Sequence, residues 1–177
     1  MKWVKQSIHY WCPDTKEHKF LGQNVTVAIL DTGISPHPDF KDRILSFRDF
    51  SSTTVSSEKV LFSFSHFSPL IDNSGHGTHV AGILAGSGLL SSGTYAGIAP
   101  FCNLIIGKVL DQNGNGSIKN VINGIQWIRD IYTQFHIRII NISVGTRPDL
   151  SIHQKLLLLN AVESLWDLGL VVVVSAC

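Results

Sequence analysis

Apolar residues along this chain come in short unbroken bursts, separated by stretches of helical spacing. The run "VTVAIL" (25–30) is β-branched and aliphatic, bounded by "GQN" before it and "DTG" after it. Such a run between turn residues predicts a buried strand. "RILSFRDF" (43–50), "LIIGKVL" (104–110), "IRIINISV" (137–144) and "LVVVVSA" (170–176) predict four more. Between them, Ile118, Val121, Ile122, Ile125, Ile128 and Ile131 recur three and four apart, which predicts a helix with Ser117 as its N-cap. "SIHQKLLLLNAVESLWDLG" (151–169) predicts another, stopped by Gly169. "HGTHVAGILAG" (76–86) predicts a helix of small residues, suited to close packing on a sheet. "SSTTVSSEKVLFSFSHFSPL" (51–70) is aperiodic and predicts a surface loop. Strands apolar on both faces, alternating with helices, imply a parallel sheet covered on both sides. The expected fold class is α/β, a three-layer α/β/α domain with a mostly parallel sheet.

Length and composition leave that picture in place. The chain has 177 residues, 44% of them hydrophobic and 15% charged, with a formal net charge of +1. This balance excludes disorder and gives no electrostatic case for nucleic acid or an anionic membrane surface. No apolar run approaches the roughly 18 residues of a transmembrane helix. The first twenty residues carry lysines with no continuous apolar stretch behind them, so they do not read as a secretory leader. Cys12, Cys102 and Cys177 are odd in number and lack metal spacing, which favours free thiols and a reducing compartment. The expected location is the cytoplasm, or secretion if a leader precedes this chain.

Parallel sheets place their chemistry at the carboxyl ends of the strands. Asp31 follows the first strand, and His76 opens the small-residue helix. An aspartate holding a histidine through Nδ1–H is two thirds of a hydrolytic triad. The two side chains are therefore expected within hydrogen-bond reach, at one edge of the sheet. Other readings compete. His76 and His79 share a helix face and could hold zinc, but no third ligand suggests itself. Asp111, Asn113, Asn115 and Gly116 fit the opening of an EF-hand loop, but its twelfth position, which needs an acid, is Ile122. "NGNG" (113–116) also reads as an ordinary turn.

"VAILDTGI", "DNSGHGTHVAGILAGSG", "YAGIAP", "KVLDQNGNGSIKNVINGIQWI", "IINISVG" and "VVVVSA" resemble consecutive blocks of the subtilisin-like serine protease family, in that family's order. The resemblance implies residues 25–177 as a partial peptidase domain, truncated on its C-terminal side, with residues 1–24 as an extension packing on it. It implies Asp31 as the orienting aspartate and His76 as the general base and acid of a serine endopeptidase, with His79 structural. It implies an extended polypeptide substrate, paired by Gly114, Asn115 and Gly116 on one side and by Ser143, Val144 and Gly145 on the other. Where the family usually has a second glycine, this chain has Thr146. The family's "GTS" block with its nucleophile and its "AGN"-like block with its oxyanion asparagine have no counterpart here. The chain alone is thus expected to be inactive, its partner being a missing C-terminal portion of the same domain. No cofactor is expected. Asp39 matches a calcium ligand of the family, but the partner loop is not evident. Two alternatives stand beside this reading. One is a non-catalytic peptide-binding fragment or pseudoenzyme. The other is an aspartic protease, whose "DTG" motif is shared but whose all-β fold conflicts with the helical spacing at 118–131.

Overall fold

Five strands, all paired in parallel, form one sheet in the order β2-β3-β1-β4-β5. They are β1 (Thr26–Asp31), β2 (Ile44–Asp49), β3 (Asn103–Lys108), β4 (Ile137–Ile142) and β5 (Val171–Val174). The helices are α1 (Lys2–Ser7), α2 (His76–Ala85), α3 (Ile118–Ile131) and α4 (Ile152–Trp166). The computed structural model describes residues 2–8, 10, 20–51, 72–145 and 150–175. Most of the loop expected at 51–70 lies outside the described residues, as do Cys12, Thr146 and Cys177.

Alternation along β1 builds the three layers. Val27 and Ile29 pack with Leu104 and Ile106 of β3 against Ala81 and Ala85 of α2. Ala28 and Leu30 face the other way, toward Val121, Ile125 and Ile128 of α3 and Leu165 of α4. Successive strand residues point to opposite faces, so one strand with apolar residues on both faces serves two cores. Alanines on the sheet-facing side of α2 let that helix approach closely. The fold is the three-layer α/β/α arrangement.

The helix boundaries follow local chemistry. Ser117 caps α3, its side chain accepting from the Asn120 N–H. Ser151 and Gln154 form a reciprocal capping box on α4, a stop for the orphan N–H groups of its first turn. Gly169, at φ +75°, ends the segment after α4. β4 is two residues shorter than its apolar run, because β1 ends at Asp31 and offers only one further acceptor. The Ser143 N–H reaches Leu30 O at 3.3 Å, and the chain then leaves the sheet. Near the N-terminus, Tyr10 Oη donates to Ile98 O at 2.7 Å. Among the described residues no helix is long and apolar enough to cross a membrane.

Candidate active site

Asp31 ends β1 on the same face as Val27 and Ile29, which is the face that α2 covers. His76 is the first residue of α2. Gly75 before it stands at φ +83°, a left-handed conformation that costs glycine little, and it turns the chain into the helix. Gly77 after it allows the close approach. A Cβ there would lie 2.2 Å from Gly33 O and 3.2 Å from Asp31 Oδ1.

The two side chains meet: His76 Nδ1 is 2.7 Å from Asp31 Oδ1. Asp31 is fully buried, while the His76 side chain is 54% exposed. An ionised carboxylate only accepts, so this contact places the ring proton on Nδ1 and leaves Nε2 with a lone pair. The same Asp31 oxygen accepts the Thr32 N–H at 2.6 Å. Its other oxygen is buried with no hydrogen-bond partner among the described residues. An imidazole oriented from behind by a buried carboxylate, with its far nitrogen toward solvent, is equipped to take and return a proton. The pair does not lie at one edge of the sheet. β1 is the central strand, and the pair occupies its carboxyl end, between the neighbouring strands β3 and β4.

Sequence reasoning missed the residues that hold this pair in place. Asp72 is their hub. Its Oδ2 accepts the Thr78 N–H at 2.8 Å and the Thr78 hydroxyl at 2.5 Å. Its Oδ1 accepts from the Gly75 N–H at 2.8 Å and the Thr32 hydroxyl at 2.8 Å. Thr32 Oγ1 in turn accepts the Gly77 N–H at 2.9 Å. One carboxylate thus ties the loop before α2, its first turn and the end of β1 into one unit. Burial raises the Asp72 pKa, but the hydrogen bonds from Thr78, Gly75 and Thr32 outweigh it and hold the carboxyl below its usual value. Lys108, buried at the end of β3, adds a second tie through hydrogen bonds to Thr32 O and Leu110 O. The available signal was an aspartate a few residues ahead of a small-residue helix, a position suited to collecting its orphan N–H groups.

The other named residues lie on the loops after β3 and β4, the two neighbours of β1. Gly114, Asn115 and Gly116 belong to a turn closed by Asp111, whose Oδ1 accepts the Asn113 and Asn115 N–H groups at 2.8 and 2.9 Å. The Asn115 carbonyl accepts the Asp111 N–H at 2.8 Å. Both backbone groups of Asn115 are therefore used inside the turn, while all three residues are exposed. Ser143 and Val144 are half-buried and Gly145 exposed. Ser143 Oγ accepts from Asn141 Nδ2 at 2.7 Å. Val144 O accepts the Ser175 hydroxyl at 3.3 Å.

Metal chemistry finds a poor set of donors. Among the described residues no three His, Cys, Asp or Glu side chains come together as a metal cluster, His79 included. Asp39, the position the resemblance links to calcium, has a carboxylate that faces N–H groups. Oδ2 accepts from Gly88 at 3.0 Å and Oδ1 from Leu90 at 3.3 Å. His37 Nδ1 lies 4.0 Å from Oδ1, but it accepts the Asp39 N–H at 3.2 Å, so this is no ion pair. Calcium takes roughly six to eight oxygens, and the positive ends of two N–H dipoles point where it would sit. The residues do not fit the ion. Cys102 is a buried free thiol. Burial pushes its pKa up to about 11, against an opposing pull from Arg43, so it is a poor nucleophile.

Known proteins resemble this chain in sequence and fold. The family model described as the subtilase family matches residues 22–177. The chain is 39% identical over 160 residues to serine protease AprX of Bacillus subtilis (strain 168), covering 88% of this chain and 33% of that protein. It is 37% identical over 130 residues to the major intracellular serine protease of the same organism, covering 72% of this chain and 36% of that protein. Among solved structures, sphericase superposes with a TM-score of 0.70 at 28% identity, over 86% of this chain and 46% of that one. The chain thus spans about a third of the length of these two curated relatives. A family match over nearly the whole chain, together with a buried aspartate set against a helix-opening histidine, makes this chain a member of the subtilase family.

Proposed function

We propose that this chain carries the acid–base half of a serine-type endopeptidase site, with Asp31 orienting and His76 transferring the proton. The observation that carries it is the 2.7 Å contact from His76 Nδ1 to a fully buried Asp31. Family membership supplies the reaction class, peptide-bond hydrolysis, and an extended polypeptide as substrate. Gly114, Asn115 and Gly116 flank the pair on the β3 side, and Ser143, Val144 and Gly145 on the β4 side. Strand addition between two such segments would hold the substrate backbone. Val144 and Ile118 offer no charge to select a basic or acidic side chain, which fits a broad, apolar preference.

The chain alone is read as catalytically silent. Its sequence holds no "GTS"-type block, and a triad acts as a unit, so a base without a nucleophile does little. The partner in this reading is further chain of the same domain. Two features support it. Among the described residues β5 pairs on one side only, and α4 exposes Ile152, Leu156, Leu157 and Leu159. A cytoplasmic location rests on the cysteine content. The relatives include one named as intracellular and one named as extracellular.

Purified chain treated with a fluorophosphonate probe and a fluorogenic peptide tests the reading. No serine labelling and no hydrolysis are expected. Covalent labelling that His76→Ala abolishes would overturn the claim of silence. Persistent silence after the chain is joined to the rest of a subtilase domain would overturn the proposed role of the pair.

A further inference from the structure

Three backbone carbonyls converge beside Asp39. They belong to Asp39 in the β1–β2 connection, to Ala85 in the last turn of α2, and to Cys102 just before β3. Buried carbonyls need partners, and one side chain satisfies all three. Arg43 Nη1 donates to Cys102 O at 2.9 Å, and Nη2 donates to Ala85 O at 2.8 Å and to Asp39 O. On the carboxylate side of the same residue, the turn at 88–90 supplies the N–H donors already described. The Ser87 N–H adds a bond to Asp39 O at 3.1 Å. Every oxygen of Asp39 is thus committed within the chain. The oxygens that could ligate a cation are held by a guanidinium, and the carboxylate is neutralised by amide dipoles.

We propose that this corner is internally ionised: Arg43 is its permanent cation, the 88–90 turn is the donor set for Asp39, and the domain's stability does not depend on calcium where the family resemblance puts a ligand. A guanidinium stays charged at any working pH and presents a rigid fork of donors. Being covalently attached, it cannot be chelated away, whereas a bound ion stabilises only while free ion is present at or above its Kd. Arg43 also links the segment before β2 to the C-terminal end of α2 and the start of β3. It does for three separate elements what a metal does for three ligands.

Thermal unfolding of the 177-residue chain in excess EDTA and in millimolar calcium tests this. The two midpoints should coincide, and Arg43→Met should lower the midpoint by about 5 °C or more in both. Should Arg43→Met fail to fold, Arg43→Lys serves instead. It keeps the charge but loses the fork, and its midpoint should fall below the wild type. A calcium-dependent rise in the wild type that disappears in Asp39→Asn would overturn the proposal. So would an Arg43 variant as stable as the wild type. A calcium effect that persists in Asp39→Asn would place the ion elsewhere and leave this corner metal-free, as proposed.

Discussion

The central strand β1 and the edge strand β5 are written in the same aliphatic alphabet, "TVAILD" and "VVVV", yet they live in opposite surroundings. All six residues of β1 are buried. In β5, Val171, Val173 and Val174 are 57%, 47% and 59% exposed. The cause is neighbours. β1 pairs with β3 and β4, whereas among the described residues β5 pairs with β4 alone. An apolar run states that a strand needs cover; it does not state where that cover comes from. The difference also explains why the Asp31–His76 contact is well formed here. Asp31 rests on the strand whose surroundings this chain supplies in full.

The contrast can be broken most forcefully from the inside. Leu30→Ala should cost about 2–5 kcal/mol, since a fully buried leucine leaves a cavity. Val173→Ala should cost within about 0.5 kcal/mol, as surface substitutions do. Urea denaturation with an unchanged slope reads both; equal losses would show β5 covered in solution. Next comes Gly77→Ala, with an expected cost of about 1–3 kcal/mol from overpacking. Its Cβ would collide with Gly33 O, lifting α2 off the end of β1. Loss of the low-field His76 Nδ1–H proton resonance would report the broken contact, and its survival would show that the loop yields instead.

A smaller effect than that of Gly77→Ala concerns Asp72. Its folded pKa lies below the ordinary value of 3.8. The stabilisation is therefore fully present above that value and is lost as pH falls through the depressed folded pKa. Asp72→Asn should lower stability by under about 1 kcal/mol near neutrality, because the group is partly exposed and screened. The gap between variant and wild type should narrow below about pH 3.8. A gap that stays constant into acid would assign the loss to packing rather than charge.

Periodicity made most of the fold legible. Strand runs at 25–30 and 104–110 lie within a residue or two of β1 and β3, and Ser117 caps α3 as its position implies. The Asp31–His76 contact was legible because residue type, strand end and helix start coincide there. What stayed hidden were long-range polar ties. Nothing in the spacing announces that Thr32 binds Asp72, or that Arg43 gathers carbonyls from residues 85 and 102, because such bonds have no period. The placement of the pair was also hidden. Whether β1 is central or peripheral depends on strand order, which local pattern does not encode.

The position of β1 has a consequence in time as well as in space. Lys108, which grips the carbonyl of Thr32, lies 76 positions later in the chain, and β4 later still. A polypeptide emerging in order from its N-terminus exposes "VAILD" long before either flanking strand exists. Non-local parallel pairings of this kind close slowly, since a long loop must be ordered before any ladder forms. Throughout that interval the strand that ends buried at all six positions has two open edges. The segment that ends up best protected is thus the one whose edges wait longest for partners while the chain is being made.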